Sequence, residues 1–324
     1  MLHPLRAAAR FIDAKIGWSR IGLALSLMII GVAATALYRI LRGLNFADVM
    51  VALKATDTHD VLLAGLFVAA GYFTLTFYDL FALRTIGWRD VPYRTAALAA
   101  FTSYSVGHNV GATVFTGGAV RYRIYSARGL TALDVAKLCF VTGLTFWLGN
   151  ATVLGLGIAY EPEAARAIDQ LPIWANRLVA ITALVVLSAY VGWVWVKPRV
   201  IGRAGWTVTL PGGPLTLLQI VIGIVDLACC ALAMYVLLPD DPRIDFIRLA
   251  VIFVSATLLG FASHSPGGLG VFDAAMLVAL IEYDKEELVA GLLLFRLLYY
   301  IVPFALALTI LGLREMWLGV VPKQ

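Results

Sequence analysis

Apolar residues fall in long, nearly unbroken runs, with short polar stretches between them. The runs lie at about 21–40, 61–83, 95–120, 132–160, 178–196, 215–238, 249–281 and 288–312. About 20 apolar residues in a helix cross the hydrocarbon core of a bilayer, so each run is long enough to be membrane-embedded. Two of them differ from the rest: 95–120 and 249–281 are interrupted by glycines and polar side chains. The pattern predicts an all-α polytopic protein with a single membrane domain. A basic stretch over 1–20 precedes a bundle over 21–312 and a short tail over 313–324. The first run follows Arg6, Arg10, Lys15 and Arg20 and ends in Ala33-Ala34-Thr35-Ala36. That ending also suits a cleavable signal peptide, but the length of the run favours a retained anchor.

Composition agrees with this reading. Hydrophobic residues make up 61% of the 324 and charged residues only 14%, too little charge to cover a water-soluble domain. The net charge of +5 fits cytoplasmic loops facing anionic lipid, and nucleic acid is not an expected partner. Cys139, Cys229 and Cys230 lie inside apolar runs without metal or disulfide spacing. They read as small buried residues.

Lys and Arg divide the connecting stretches into two groups. Stretches 1–20, 84–94, 121–128, 197–203 and 314–324 hold fifteen basic residues and three acids, whereas 39–60, 161–177, 239–248 and 282–287 hold eight basic residues and thirteen acids. The positive-inside rule places the first group, and with it both termini, in the cytoplasm. Residues 84–94 and 121–128 then share one face, so the run between them must enter and leave by that face. Stretches 239–248 and 282–287 share the opposite face, so 249–281 must return there. The expectation is about six spanning helices plus two opposed re-entrant segments of broken helix. Irregular backbone at that depth is tolerated only inside protein or beside a polar cavity.

The units around the two breaks echo each other. Tyr78-Asp79-Leu80 resembles Val225-Asp226-Leu227, and Gly107-His108-Asn109 resembles Ser263-His264-Ser265. Thr116-Gly117-Gly118 likewise resembles Ser265-Pro266-Gly267-Gly268. Interrupted segments in two inverted halves point to a transporter site near the midplane.

The second break, Ser263-His264-Ser265-Pro266-Gly267-Gly268, is read as a helix start with Ser265 as cap and Pro266 in the first position. Such an end inside a membrane suits a phosphate or carboxylate; alternatively, the glycines serve close helix packing. In the first break, His108, Asn109, Gly111, Gly117 and Gly118 are candidates, with Arg121 and Tyr122 just beyond. No carboxylate or cysteine lies at ligand spacing beside His108 or His264, so no metal is expected, and no cofactor motif is present. Asp79, Asp226 and Arg296 are ionisable residues inside apolar runs, where each needs a partner or a wet cavity. Two readings stay open for them: an Asp–Arg pair between helices, and Arg296 meeting an anionic headgroup. Residues 205–213 read as a short turn or hairpin.

Tyr104, Asn109, Gly111, Gly117-Gly118, Arg121-Tyr122, Tyr125 and Gly129, then Ser265 through Phe272, then Arg296, Tyr299-Tyr300 and Pro303, resemble the transmembrane region of lysylphosphatidylglycerol synthases. This is the membrane domain of the multiple peptide resistance factor, which also occurs as stand-alone bacterial proteins. The resemblance spans about 20–315. It implies re-entrant helices and a flippase-like module of the bacterial inner membrane that moves a phospholipid between leaflets. In the factor that lipid is aminoacylated phosphatidylglycerol. Asp273 stands where the family is expected to have glutamate. With only about a dozen residues after the last run, no aminoacyltransferase domain is expected.

The resulting expectation is a transporter of an anionic or zwitterionic phospholipid, with Tyr299 and Asp273 counted among the binding residues. Its partners would be membrane lipids and either a homo-oligomer or a lipid-modifying enzyme. The rival readings are a transporter of a polyprenyl-phosphate-linked sugar or small solute, a non-catalytic partner subunit, and a membrane-embedded transferase. The transferase would use His108 and Asp273 as base and acid.

Overall fold

The computed structural model describes Tyr38 and residues 45–197, 199–203 and 206–320. The expected basic stretch over 1–20 and, apart from Tyr38, the first apolar run lie outside the described residues. A short helix α1 (Phe46–Ala55) leads into the long α2 (Thr58–Thr85). Next come α3 (Tyr93–Val110), α4 (Thr113–Tyr125), α5 (Ala132–Tyr160), the short α6 (Pro162–Asp169) and α7 (Ile173–Val196). A two-stranded antiparallel hairpin, β1 (Val200–Arg203) and β2 (Trp206–Thr209), pairs Val200 with Thr209. Only its second strand falls in the stretch 205–213 read as a turn or hairpin; the first lies before it, and the chain then enters α8 (Gly213–Val236). The chain continues through α9 (Phe246–Ala262), α10 (Val271–Ala279), α11 (Lys285–Arg296) and α12 (Val302–Val320).

Five helical spans are long and apolar enough to cross a membrane: Thr58–Thr85, Ala132–Tyr160, Ile173–Val196, Gly213–Val236 and Lys285–Arg314. They coincide with the five unbroken runs that fall among the described residues. The two interrupted runs form helical hairpins, α3 with α4 and α9 with α10, so the fold is all-α and polytopic with two re-entrant elements. Two stretches read as loops hold the short helices α1 and α6. Each has an acid in its first turn and a base in its last, Asp48 and Lys54 in α1, Glu163 and Arg166 in α6, which complements the helix dipole.

Local chemistry fixes the helix ends. Thr131 and Asp134 form a reciprocal capping box at the start of α5. Asp57, Asp245 and Asp284 cap α2, α9 and α11 by accepting from backbone N–H groups. Each satisfies N–H donors that the first helical turn leaves without an intrahelical partner.

Helices α2, α5 and α8 form the centre of the bundle. The α5–α8 crossing depends on Gly149 and Gly223: a Cβ on Gly149 would lie 2.8 Å from the Gly223 Cα. Small residues let helix backbones approach in this way. The helices α2 and α8, which bear the echoed Asp79 and Asp226, pack against each other, with Gly71 facing Cys229 and Cys230.

Candidate functional site

The tips of the two hairpins meet inside the bundle. At the first tip, Gly111 (φ 83°) and Ala112 (φ 46°) turn the chain from α3 into α4. A Cβ on Gly111 would lie 3.3 Å from the Pro266 Cα, so glycine is required there by conformation and by space. Thr113 and Thr116 donate to the carbonyls of Gly107 and Gly111 at 3.2 and 2.9 Å, satisfying groups that the break frees.

The second tip differs from the sequence expectation. Pro266 opens only a single 3₁₀ turn, Pro266–Gly268, in which Gly267 and Gly268 have φ near 60°. The α-helix begins at Val271, where Asp273 accepts from the Gly270 N–H at 3.0 Å. Two left-handed residues cannot propagate an α-helix, which moves the start beyond the glycines. The end of α10 is therefore answered by a carboxylate of the chain itself. Ser265 does not cap a helix; its Oγ lies 2.8 Å from that of Ser263, whose hydroxyl is 2.6 Å from the Gly260 carbonyl.

Both candidate arginines are engaged. Arg121 is buried and grips Asp79 with Nε–Oδ1, Nε–Oδ2 and Nη2–Oδ1 separations of 3.1, 3.0 and 2.8 Å. Tyr125 donates to the same carboxylate at 2.8 Å, and the guanidinium lies over the Tyr104 ring. Arg296 makes a bidentate pair with Asp273 at 2.7 and 2.6 Å, and its Nη1 donates to the Gly267 carbonyl at 3.2 Å. Arg296 is thus paired neither with Asp79 nor with Asp226. The reason is reach: Asp273, one turn into α10, meets the end of α11, while Asp79 is closed off by the first hairpin.

Tyr299 and Tyr300 occupy a π-helical turn, Leu297–Ile301, closed by the Val302 N–H donating to the Leu297 carbonyl. Pro303 has no N–H to offer the Tyr299 carbonyl four residues back. The Tyr72 hydroxyl takes that carbonyl at 3.0 Å, and Asn109 Nδ2 donates to the Tyr300 carbonyl, also at 3.0 Å. Asn109 therefore ties the first hairpin to the last span. Turns of this kind often occur at functional sites.

A cavity of about 190 Å³ lies where the tips meet. That is space for several waters or a small polar group. Of the sequence candidates, His108, Gly111, Asp226, His264, Ser265, Gly267, Gly268 and Tyr299 line it. Asn109, Ser263, Pro266, Asp273 and Arg296 frame the tips without lining the cavity. Gly117 and Gly118 serve packing, with Ser103 and Cys139 against them, Arg121 and Asp79 form the sealed pair, and Tyr122 is exposed. Tyr78, Tyr104, Phe272 and Tyr300, named above only in the echoed units and in the resemblance, form with Phe253 an aromatic wall that sequence reasoning did not assign to the cavity. In runs this apolar, aromatic residues give no signal that separates a cavity wall from a lipid-facing surface.

No family model matches the chain. The Synechocystis sp. protein slr0712 is 30% identical over 259 residues, covering 78% of this chain and 80% of that protein. The inner membrane protein YbhN of Escherichia coli is 28% identical over 249 residues, covering 74% and 76%. A phosphatidylglycerol lysyltransferase of Staphylococcus aureus is 25% identical over 281 residues, 85% of this chain and 32% of the enzyme, so the chain spans about a third of that relative. The match to slr0712 runs across most of both proteins, and the chain belongs to its family.

Proposed function

We propose that this chain is a bacterial inner-membrane lipid transporter, which takes a phospholipid headgroup into the cavity between the hairpin tips and passes it between leaflets. The observation that carries the reading is the meeting of two broken hairpins around a cavity of headgroup size. Acyl chains would stay in the bilayer while the polar group moves through the protein. The relation to a phosphatidylglycerol lysyltransferase supports a lipid as cargo. The loop charges support opposed insertion of the hairpins with cytoplasmic termini.

A transferase reading is weaker on the same geometry. Its acid, Asp273, is held by Arg296 and the Gly270 N–H and lies outside the cavity lining.

Reconstitution into liposomes containing acyl-labelled phospholipids tests the proposal, with an impermeant quencher reporting transbilayer movement. Faster equilibration with unchanged lipid is expected. Movement no faster than in protein-free liposomes, or a new lipid product, would overturn it. Single cysteines near Trp88 and Arg128 should label from one face, and those near Asp241 and Tyr283 from the other.

A further inference from the structure

The corner between α6 and α7 holds two cations and no acid to answer them. An open groove there is lined by Arg166 and Arg177 together with Trp174, Leu178 and Ile181, and it shares no residue with the cavity between the hairpin tips. Arg166 stands in the last turn of α6 and Arg177 one turn into α7. Both are exposed, and neither makes an ion pair among the described residues. The acid of this corner, Asp169, is spent within it, accepting from the Leu171 N–H at 2.9 Å and from Asn176 Nδ2 at 3.2 Å. No acid stands in the first turn of α7, whose N-cap is Pro172. The positive end of the helix dipole and the Arg177 charge therefore add.

The groove opens toward lipid. Only 11% of the most apolar stretch of α7 is buried, against 33% to 56% in the other four spans. Ala180 and Leu184 meet Gly155 of α5, whereas Trp174, Leu178 and Ile181, spaced four and three residues apart, form an exposed stripe on a different face. Arg177 is the one charged residue of the span. A tryptophan at the start of a span belongs to the headgroup zone, and an arginine one turn further in reaches that zone by extending its stem along apolar surface. Two guanidinium forks at headgroup depth match phosphate oxygens, and the stripe below them matches acyl chains.

We infer that this corner docks one anionic phospholipid as a resident of the outer surface of the bundle, its phosphate against Arg166 and Arg177 and its chains along Leu178 and Ile181. The lipid is a fixed neighbour of the fold and not its cargo, so the site stands whether or not the cavity carries lipid.

The test uses the whole chain in phosphatidylcholine nanodiscs, with a trace of lipid carrying a photoactivatable diazirine on one acyl chain. The lipid is either phosphatidic acid, the smallest with this chemistry, or phosphatidylcholine, whose phosphate is neutralised by its own cation. After irradiation, peptide mapping compares labelling of residues 173–185 with labelling around Leu306 and Leu308, exposed positions of α12. Relative to that reference, phosphatidic acid should label α7 about tenfold more than phosphatidylcholine does, as expected for a charge-assisted contact. The preference should fall as salt is raised. The double variant Arg166→Gln, Arg177→Gln should bring the ratio close to one. A ratio of one in the wild type, or one unchanged in the double variant, would overturn the site. So would an α7 labelled by neither lipid, which would show that protein covers the groove. Should the double variant fail to fold, Arg177→Gln alone decides: a ratio at least halved supports the site, and a wild-type ratio overturns it.

Discussion

Arg121→Met keeps most of the side chain's length and removes its charge. Asp79, fully buried, would keep only the Tyr125 hydroxyl as donor among the described residues. Breaking a buried ion pair from one side costs about 3–5 kcal/mol. Insertion scales put an uncompensated charge at mid-membrane at about 2.5–3.5 kcal/mol. Both routes place the loss near 3 kcal/mol, and Asp79→Asn should cost a similar amount by stranding Arg121, which would keep the Tyr104 ring but no carboxylate among the described residues. The double variant strands no charge, so it should recover much of either loss, with a coupling energy of about 2 kcal/mol or more. Unfolding of the detergent-solubilised protein, followed as the fraction of denaturing detergent rises, measures all four members of the cycle. Additive losses would refute the pairing. An Arg121→Met protein of wild-type stability that no longer transports would refute it differently, by making Arg121 a ligand.

Tyr72→Phe removes the donor that satisfies the Tyr299 carbonyl and should cost about 1–3 kcal/mol in the same assay. Gly149→Ala forces a methyl to within 2.8 Å of the Gly223 Cα and should cost about 1–3 kcal/mol by overpacking; Gly143→Ala in the same helix, with nothing within 4 Å, should cost nothing, as thermal unfolding of the two will show. Arg296→Lys keeps the charge but loses the fork to Asp273 and the bond to the Gly267 carbonyl. Because that pair is partly exposed, stability should fall less than in Arg121→Met, while lipid translocation falls severalfold.

The spans were legible because hydrophobic length is a one-dimensional signal. The five unbroken runs among the described residues each became a spanning helix within a few residues of the expected ends. The loop charges have a mixed origin. Asp57, Asp245 and Asp284, counted among the acids of one group of loops, are helix caps, so their placement follows helix starts as much as topology. Lys and Arg share such a cause in part, since Lys54, Arg84, Arg123 and Arg166 stand in the last turns of helices. The partners of the intramembrane charges were not legible. Arg121 is 42 residues from Asp79 and Arg296 is 23 from Asp273, and only the folding of the hairpins decides which carboxylate each arginine reaches. The helix start at Pro266 failed because Ser-Pro followed by two glycines suits a helix start and a left-handed turn equally well. The π turn had a visible cause in Pro303, but a proline inside an apolar run does not say which carbonyl is freed or who accepts the role of donor.

The two halves repeat the same parts and hold them by different means. In the first, the ion pair is sealed, with side-chain exposures of 4% for Arg121 and 0% for Asp79. In the second, the pair stands at 12% for Arg296 and 16% for Asp273. Asp273 also caps α10, and Arg296 also holds the Gly267 carbonyl. One pair of side chains therefore fixes a helix start, a glycine turn and the end of α11 together. That pair is less buried, and a partly exposed pair is cheaper to separate than a buried one. The two tips come together at Gly111 and Pro266. Of the two tips, the second is therefore held by the ion pair that is cheaper to separate.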